Sequence, residues 1–280
     1  MFHVWRLLRN KDYEKLPVRR IMMQADFPSM QMFGIKTPLI RPGDNIAEII
    51  IASLEKQGMQ FQDNDILIIA ESPLATSERR LVCLADVNPG KKANKLAEEY
   101  QLDAREMELI LQECDEIFGG VPGAALTITK GTLAPNAGID GSNAPEGYVV
   151  LLPENAQESA GRIRREIKDR CKCKIGVIVG DSRTQPLRLG CVGIALGTSG
   201  MVPVEDARGT LDLFGKEMII TRKAIADNLV SAAQLLMGEA GESVPAVLVR
   251  GAPVQVVEDD IEMPLFTSDE CMYYSNIRKA

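Results

Sequence analysis

Residues 174–182 read KIGVIVGDS, and residues 190–200 follow as GCVGIALGTSG. The first stretch is a short apolar run rich in Ile and Val, which reads as a buried strand, and it terminates in Asp181-Ser182. The second stretch is small and apolar, and predicts close packing of backbones. Working outward, DILIIA at 65–70 and AVLVR at 246–250 read as further strands, with AALTIT at 124–129 and YVVLL at 148–152. Helical spacing of apolar residues appears over 45–57 with an Asp44 or Asn45 cap, over 89–100 with Asn88 as cap, and over 103–118. A basic amphipathic helix is predicted over 154–172, with Arg162, Arg164, Arg165, Lys168 and Arg170 on a solvated face. A further helix runs from Thr221 or Lys223 to Met237, capped by Gly238. ESPLAT at 71–76 reads as a loop because Pro73 stops regular pairing. GGVPG at 119–123 reads as a chain break, DARGTLDLFG at 206–215 as a loop, and 217–221 as a strand. Strands alternate with helices throughout, which predicts an α/β or α+β fold with mixed sheets and flanking helices.

A second stretch, NAGIDGSN at 136–143, brackets Asp140 with two glycines and two amides. Gly138 and Gly141 permit left-handed backbone and close approach of a ligand. A carboxylate there can ligate a hard cation such as Mg²⁺ or Mn²⁺, and flanking N–H groups can receive phosphate oxygens. An ordinary Asx-rich turn with no ligand explains the same residues.

The totals narrow the classes. A net charge of −7 over 280 residues argues against a phosphate-backbone binder of nucleic acid. It leaves a nucleotide site open, since a metal ion can supply local positive charge. The lone histidine, His3, excludes a His-based zinc site or catalytic triad. The 6 scattered cysteines form no CxxC pair and read as reduced thiols of a cytoplasmic protein. No apolar run reaches membrane-spanning length. P-loop, dinucleotide and G-x-S-x-G fingerprints are all missing. What remains is three acids among Gly, Ser or Asn: Asp140, Asp181 and Glu239. If they converge, with Ser182 adding a hydroxyl, they can hold divalent cations against phosphates. Three separate turn acids is the alternative.

Taken together and in order, PLIRPGDN, NAGIDGSN, IGVIVGDS, GCVGIALGTSG, DARGTLDLFGKE and LLMGEAGESVPAVLVRG resemble the coenzyme F420-0:L-glutamate ligase family. The likeness covers residues 32–257, between an N-terminal extension (1–31, read as an amphipathic arm) and an acidic, loosely packed tail (258–280). It implies a two-lobed mixed α/β homodimer. Its members use GTP and Mg²⁺ or Mn²⁺ to phosphorylate an acceptor carboxylate, which the amine of L-glutamate then attacks. Matched by position, Asp140, Asp181, Ser182 and Glu239 correspond to metal ligands, with Asp140 and Asp181 the catalytic pair. Pro38, Leu39, Ile40, Glu71, Ser72, Thr76, Asn143, Met237, Gly238 and Gly241 correspond to nucleotide contacts.

Two departures stand out. A lysine that the family sets against phosphate is Thr76 here, and a family arginine is Gln185. Arg183, Arg188 and Lys130 are candidates to restore the charge. These changes keep two alternatives in view: a folate-like or other carboxylate acceptor, or a non-catalytic nucleotide-binding homologue.

Overall fold

The computed structural model describes residues 29–267 and 269–277. The expected N-terminal arm therefore lies outside the described residues, apart from its last few positions. A five-stranded sheet forms the centre, in the order β1 (Gln31–Ile35), β12 (Ala246–Arg250), β2 (Ile66–Ala70), β8 (Gly176–Thr184) and β9 (Cys191–Ser199). Only the β2–β8 pair is parallel; the other three pairings are antiparallel, so the sheet is mixed. Alternation divides its side chains between two cores, as period-two geometry requires. Leu67, Ile69, Val177, Val179 and Leu248 face α1 (Ile46–Lys56) and α5 (Ala156–Cys171). Ile66, Ile68, Ile178, Val247 and Val249 face α6 (Ile225–Met237). A third core joins α3 (Lys91–Tyr100) and α4 (Ala104–Glu113) to the antiparallel sheet of β4 (Glu116–Val121), β5 (Ala124–Thr129) and β6 (Thr132–Pro135). Two small pairs complete the sheets: β3 (Leu81–Cys83) with β7 (Tyr148–Val150), and β10 (Val204–Asp206) with β11 (Arg222–Ala224). Short helices α2 (Glu71–Ser77) and α7 (Tyr274–Ile277) bring the α-helices among the described residues to seven.

Small residues earn their places by contact. A Cβ on Gly197 of β9 would stand 2.5 Å from the backbone of Ala156 and Gln157 at the start of α5. One on Gly193 would stand 2.6 Å from the Val230 side chain on α6. The sheet is thus gripped from both faces at van der Waals distance, as the apolar GCVGIALGTSG stretch suggests. Arg250 clamps the sheet's other end, donating from Nε (2.9 Å) and Nη2 (2.7 Å) to the buried carboxylate of Asp65.

Several sequence expectations change. Residues 71–76 are helical, because α2 begins directly where β2 stops and Pro73 falls in its first turn, where no N–H is needed. The helix expected from 89 begins at Lys91 with Gly90, not Asn88, at its cap. The helix expected through 118 ends at Glu113, and Gly119 and Gly120 continue β4, with Pro122-Gly123 as the turn into β5. Residues 217–221 form no strand; Glu217 makes an isolated bridge to Leu211, and the strand lies at β11. β8 runs past Asp181-Ser182 to Thr184.

Arg164 is buried rather than solvated. Its Nε donates to Ser199 Oγ at 2.7 Å, and its Nη2 donates to the Glu258 carbonyl at 2.9 Å and to Asp260 at 3.1 Å. The tail is correspondingly better fastened than its acidity suggests, with the Thr198 hydroxyl donating to the Ile261 carbonyl. Tyr274 is buried against Phe118, with ring centroids 5.1 Å apart.

Gly197→Ala is expected to destabilise the protein by about 1–3 kcal/mol, the usual cost of forcing a methyl into packed backbone. Urea unfolding followed by circular dichroism measures it, and an unchanged midpoint would mean that α5 shifts freely.

Candidate active site

Four chain segments arrive at one edge of the central sheet. The parallel register sets Ala70 beside Gly180, so the next residues, Glu71 and Asp181, leave the sheet as neighbours. β12 runs the opposite way and begins there, with Ala246 paired to both Ile69 and Ile35. The segment before it (243–245) and the segment after β1 (37–42) therefore share that edge, joined by a 3.1 Å bond from Thr37 N–H to the Ser243 carbonyl. The third core contributes the NAGIDGSN loop through a bridge between Asp140 and Val150, whose amides bond each other's carbonyls at 3.0 and 2.8 Å. Asn136, Ala137 and Gly138 turn through left-handed backbone (φ 49°, 55° and 74°). Asn136 Oδ1 accepts the Ala125 N–H at 2.8 Å, which ties the turn to β5. Gly138 is required, since a Cβ there would meet Leu152 at 2.7 Å, whereas Gly141 faces open space.

These segments enclose a cavity of about 660 Å³. Pro38, Leu39 and Ile40 form one wall, Glu71, Ser72 and Thr76 of α2 a second, and Asp140 and Asn143 a third. Asp181 and Ser182 line it from β8, and Met237, Gly238, Glu239 and Gly241 from the end of α6. Every site residue expected from the sequence thus borders one space. Arg41 and Gln234 also line it, and nothing in the sequence pattern singles them out. Arg41 is the basic side chain of the wall. The other candidates for restoring charge lie elsewhere: Arg183 is buried, Arg188 is exposed outside the cavity, and Lys130 is bonded to the Pro153 and Glu154 carbonyls.

Convergence of the acids stops short of a preformed cation nest. Among the described residues, no three Asp, Glu, His or Cys side chains stand close enough to hold an ion as they are. Each acid has a local partner. Asp140 Oδ1 accepts the Ser142 N–H at 2.8 Å, Glu239 accepts from Gln234, and Asp181 pairs with Arg183 at 2.6 Å. The donor set nevertheless suits a hard cation, since carboxylates and a hydroxyl border the same cavity.

Electrostatics concentrate at Glu71 and Asp181. Burial pushes Glu71 from 4.5 up to about 8, reinforced by the Asp181 charge and opposed by the Ser72 hydroxyl and Arg183. Burial likewise raises Asp181 to about 6, opposed by Arg183 and aided by Asp140 and Glu239. The two titrate as a pair.

A cavity lined by oxygen donors at the edge of a mixed sheet, beyond the ends of its parallel strands, is where α/β proteins place a ligand site. Comparison with known proteins gives the particular family. The profile described as F420-0:Gamma-glutamyl ligase matches residues 34–251. The chain is 41% identical over 213 residues to the coenzyme F420:L-glutamate ligase of Methanopyrus kandleri, covering 76% of this chain and 82% of that protein. It is 38% identical over 226 residues to the protein of the same name from Methanothermobacter thermautotrophicus, covering 80% and 90%. Against that of Methanocaldococcus jannaschii it is 37% identical over 228 residues, covering 80% and 89%. The chain belongs to the F420-0:gamma-glutamyl ligase family, and it is a ligase.

Both raised carboxyls bind protons more tightly folded than unfolded. Their contribution to stability is therefore full below pH 4 and lost as pH rises through about 6 and then about 8. Glu71→Gln removes the upper part of that loss. Thermal midpoints of the variant are expected to be flatter than wild type between pH 6 and 8; parallel curves would place Glu71 in a solvated setting.

Proposed function

We propose that this chain forms an amide between the amine of L-glutamate and an acceptor carboxylate of the F420-0 type, at the expense of GTP. The observation that carries the reading is that all the positions matching the family's metal and nucleotide residues border one cavity. The acceptor carboxylate attacks the γ-phosphorus, GDP leaves, and the resulting acyl phosphate is opened by the glutamate amine with release of phosphate. In this reading Asp140, Asp181, Ser182 and Glu239 hold Mg²⁺ or Mn²⁺, which when bound neutralises charge on the transferring phosphoryl group. Pro38, Leu39 and Ile40 pack against the base, with Met237, Gly238 and Gly241 closing over it from the end of α6. Glu71, Ser72, Thr76 and Asn143 line the route between base and phosphates, and Arg41 offers the cavity wall a fixed positive charge for anionic groups. Water is kept from the acyl phosphate by the apolar part of the wall, including Leu81, Val150 and Val230.

The protein acts, in this reading, as a homodimer in the cytoplasm. Leu187, Leu189, Leu213 and Phe214 are more than four-fifths exposed on the β8–β9 and β10–β11 connections, which suits coverage by a second copy. All six cysteines are free thiols, as a reducing compartment maintains them. Among the described residues no helix is long and apolar enough to cross a membrane.

Glu71 and Thr76 favour a second reading, in which the same chemistry serves another carboxylate acceptor. An acid now stands in the wall at 71, and a hydroxyl where the family sets a lysine.

Release of GDP from GTP in the presence of Mn²⁺, L-glutamate and the deazaflavin acceptor is the direct test. Asp181→Ala is expected to abolish turnover without loss of fold, and an unchanged rate would remove Asp181 from the site. With turnover only on other carboxylates, the second reading replaces the first. Thr76→Lys is expected to leave GTP affinity unchanged or to raise it by about tenfold, the scale of one charge-assisted contact. Clear weakening in a calorimetric titration would mean that α2 does not face the phosphates.

A further inference from the structure

Four acids border the cavity, Glu71, Asp140, Asp181 and Glu239, against a single base, Arg41. In the proposed reaction L-glutamate must bring its amine into that space while carrying two carboxylates, which need cations that the acid walls do not offer. Among the described residues, Arg41, Arg79, Arg188 and Arg222 are the arginines with no carboxylate at ion-pair distance. Arg188 lies in the β8–β9 connection and Arg222 on β11, whereas Arg41 and Arg79 meet at one turn.

Arg79 closes α2. Its N–H donates to the Thr76 carbonyl at 3.0 Å, and the Arg80 N–H donates to the Ala75 carbonyl at 2.9 Å, the paired bonds of a Schellman cap. That position requires left-handed backbone, and Arg79 adopts it with φ 65° where glycine is the usual occupant. A long cation kept in a strained seat beside a cavity points to a use for its side chain. Arg80 is turned inward and bonded to the Leu152 carbonyl and Glu113. Arg79 is exposed and lies instead against the turn that follows β1, where a Cβ on Gly43 would stand 2.7 Å from its Nη2. The Gly43 N–H donates to the Ser77 carbonyl at 2.9 Å and fastens this turn to α2. Asp44, the acid of the turn, accepts the Arg41 N–H at 2.8 Å. Arg41 and Pro42 line the cavity, so the Arg79 guanidinium stands at its rim, one residue beyond the wall.

We propose that Arg41 and Arg79 form the subsite for the two carboxylates of L-glutamate, Arg41 taking the α-carboxylate and Arg79 the γ-carboxylate. The order follows from the molecule. The α-carboxylate is joined to the carbon that bears the attacking amine, so it stays at the wall, and the methylenes carry the γ-carboxylate outward to the rim. Guanidinium groups suit both, since each can meet a carboxylate with two parallel N–H donors. The two arginines set specificity for the amine donor and take no part in forming the amide bond. The inference rests on the reading of L-glutamate as that donor.

The test is equilibrium dialysis of labelled L-glutamate with the full chain in the presence of Mg²⁺ and GDP, with glutarate and L-glutamine as competitors. Wild type is expected to bind L-glutamate, to release it to glutarate, and to bind L-glutamine about tenfold more weakly, the scale of one charge-assisted contact. Arg79→Gly, which suits the left-handed backbone, is expected to bind L-glutamate about tenfold more weakly and no longer to prefer it to L-glutamine. Arg79→Lys should recover part of the preference, and Arg41→Gln should weaken both amino acids alike. Circular dichroism checks the fold of each variant. An unchanged affinity for L-glutamate in folded Arg79→Gly would overturn the proposal. A matching loss of GDP affinity by calorimetry would overturn it too, by assigning the arginines to the nucleotide phosphates. Amide formation with L-glutamate by wild type separates the two layers: if it occurs and Arg79→Gly still binds as wild type does, only this inference falls, and if wild type neither binds nor uses L-glutamate, both fall.

Discussion

The parallel pairing of β2 with β8 is the constraint on which the site depends. It is the only parallel contact in the central sheet, and it forces both strands to end at the same edge. Glu71 and Asp181 follow those ends at once, so two carboxyls are brought together by backbone hydrogen bonds before any side-chain preference operates. β1 and β12 reach the same edge in opposite senses and supply the apolar wall and the loop that follows α6. The tight seats of Gly193 and Gly197 against α6 and α5 keep this arrangement from shifting.

That geometry has an electrostatic cost. Carboxyls held in a desolvated corner prefer their protons, and burial raises both Glu71 and Asp181. The fold answers in part with Arg183, a cation that is equally buried. Asp140 and Glu239 relieve their charge on neighbouring N–H donors, Ser142 and Gln234. Each of those bonds is local, made within five residues of the acid, and leaves both carboxylates on the border of the cavity.

Much of this was legible in the residues. DILIIA, KIGVIVG and AVLVR are short, Ile- and Val-rich apolar runs of the kind a buried strand carries, and they form the centre of the sheet. The capping amide at Asn45, which accepts from Ala47 and Glu48, set the start of α1. Expectations failed where a local signal was decided by tertiary contact. Pro73 reads as a breaker, yet in a first turn it breaks nothing. Gly119 and Gly120 read as a stop, yet β5 pairs with them, and Gly120 lies where a Cβ would strike Tyr100. Arg164 reads as solvated because its basic neighbours are, and only the returning tail buries it. The cavity's membership was readable only as an ordered set of motifs, since no single one specifies where its chain segment ends up. Arg41, Gln234 and the burial of Arg183 carry no such signal, because ordinary surface residues look the same in one dimension.

The direct junction of β2 with α2 has a further consequence. No connecting residue separates Ala70 from Glu71, so Glu71 and Ser72 inherit the rigidity of the sheet. The opposite wall, from Gly238 to Ser243, is an exposed stretch with two glycines and a left-handed serine. One wall of the cavity is thus an extension of the sheet and the other a loop. Glu71 and Thr76 stand on the first, so what they present to a bound molecule is held in a position that the strand pairing of the sheet sets.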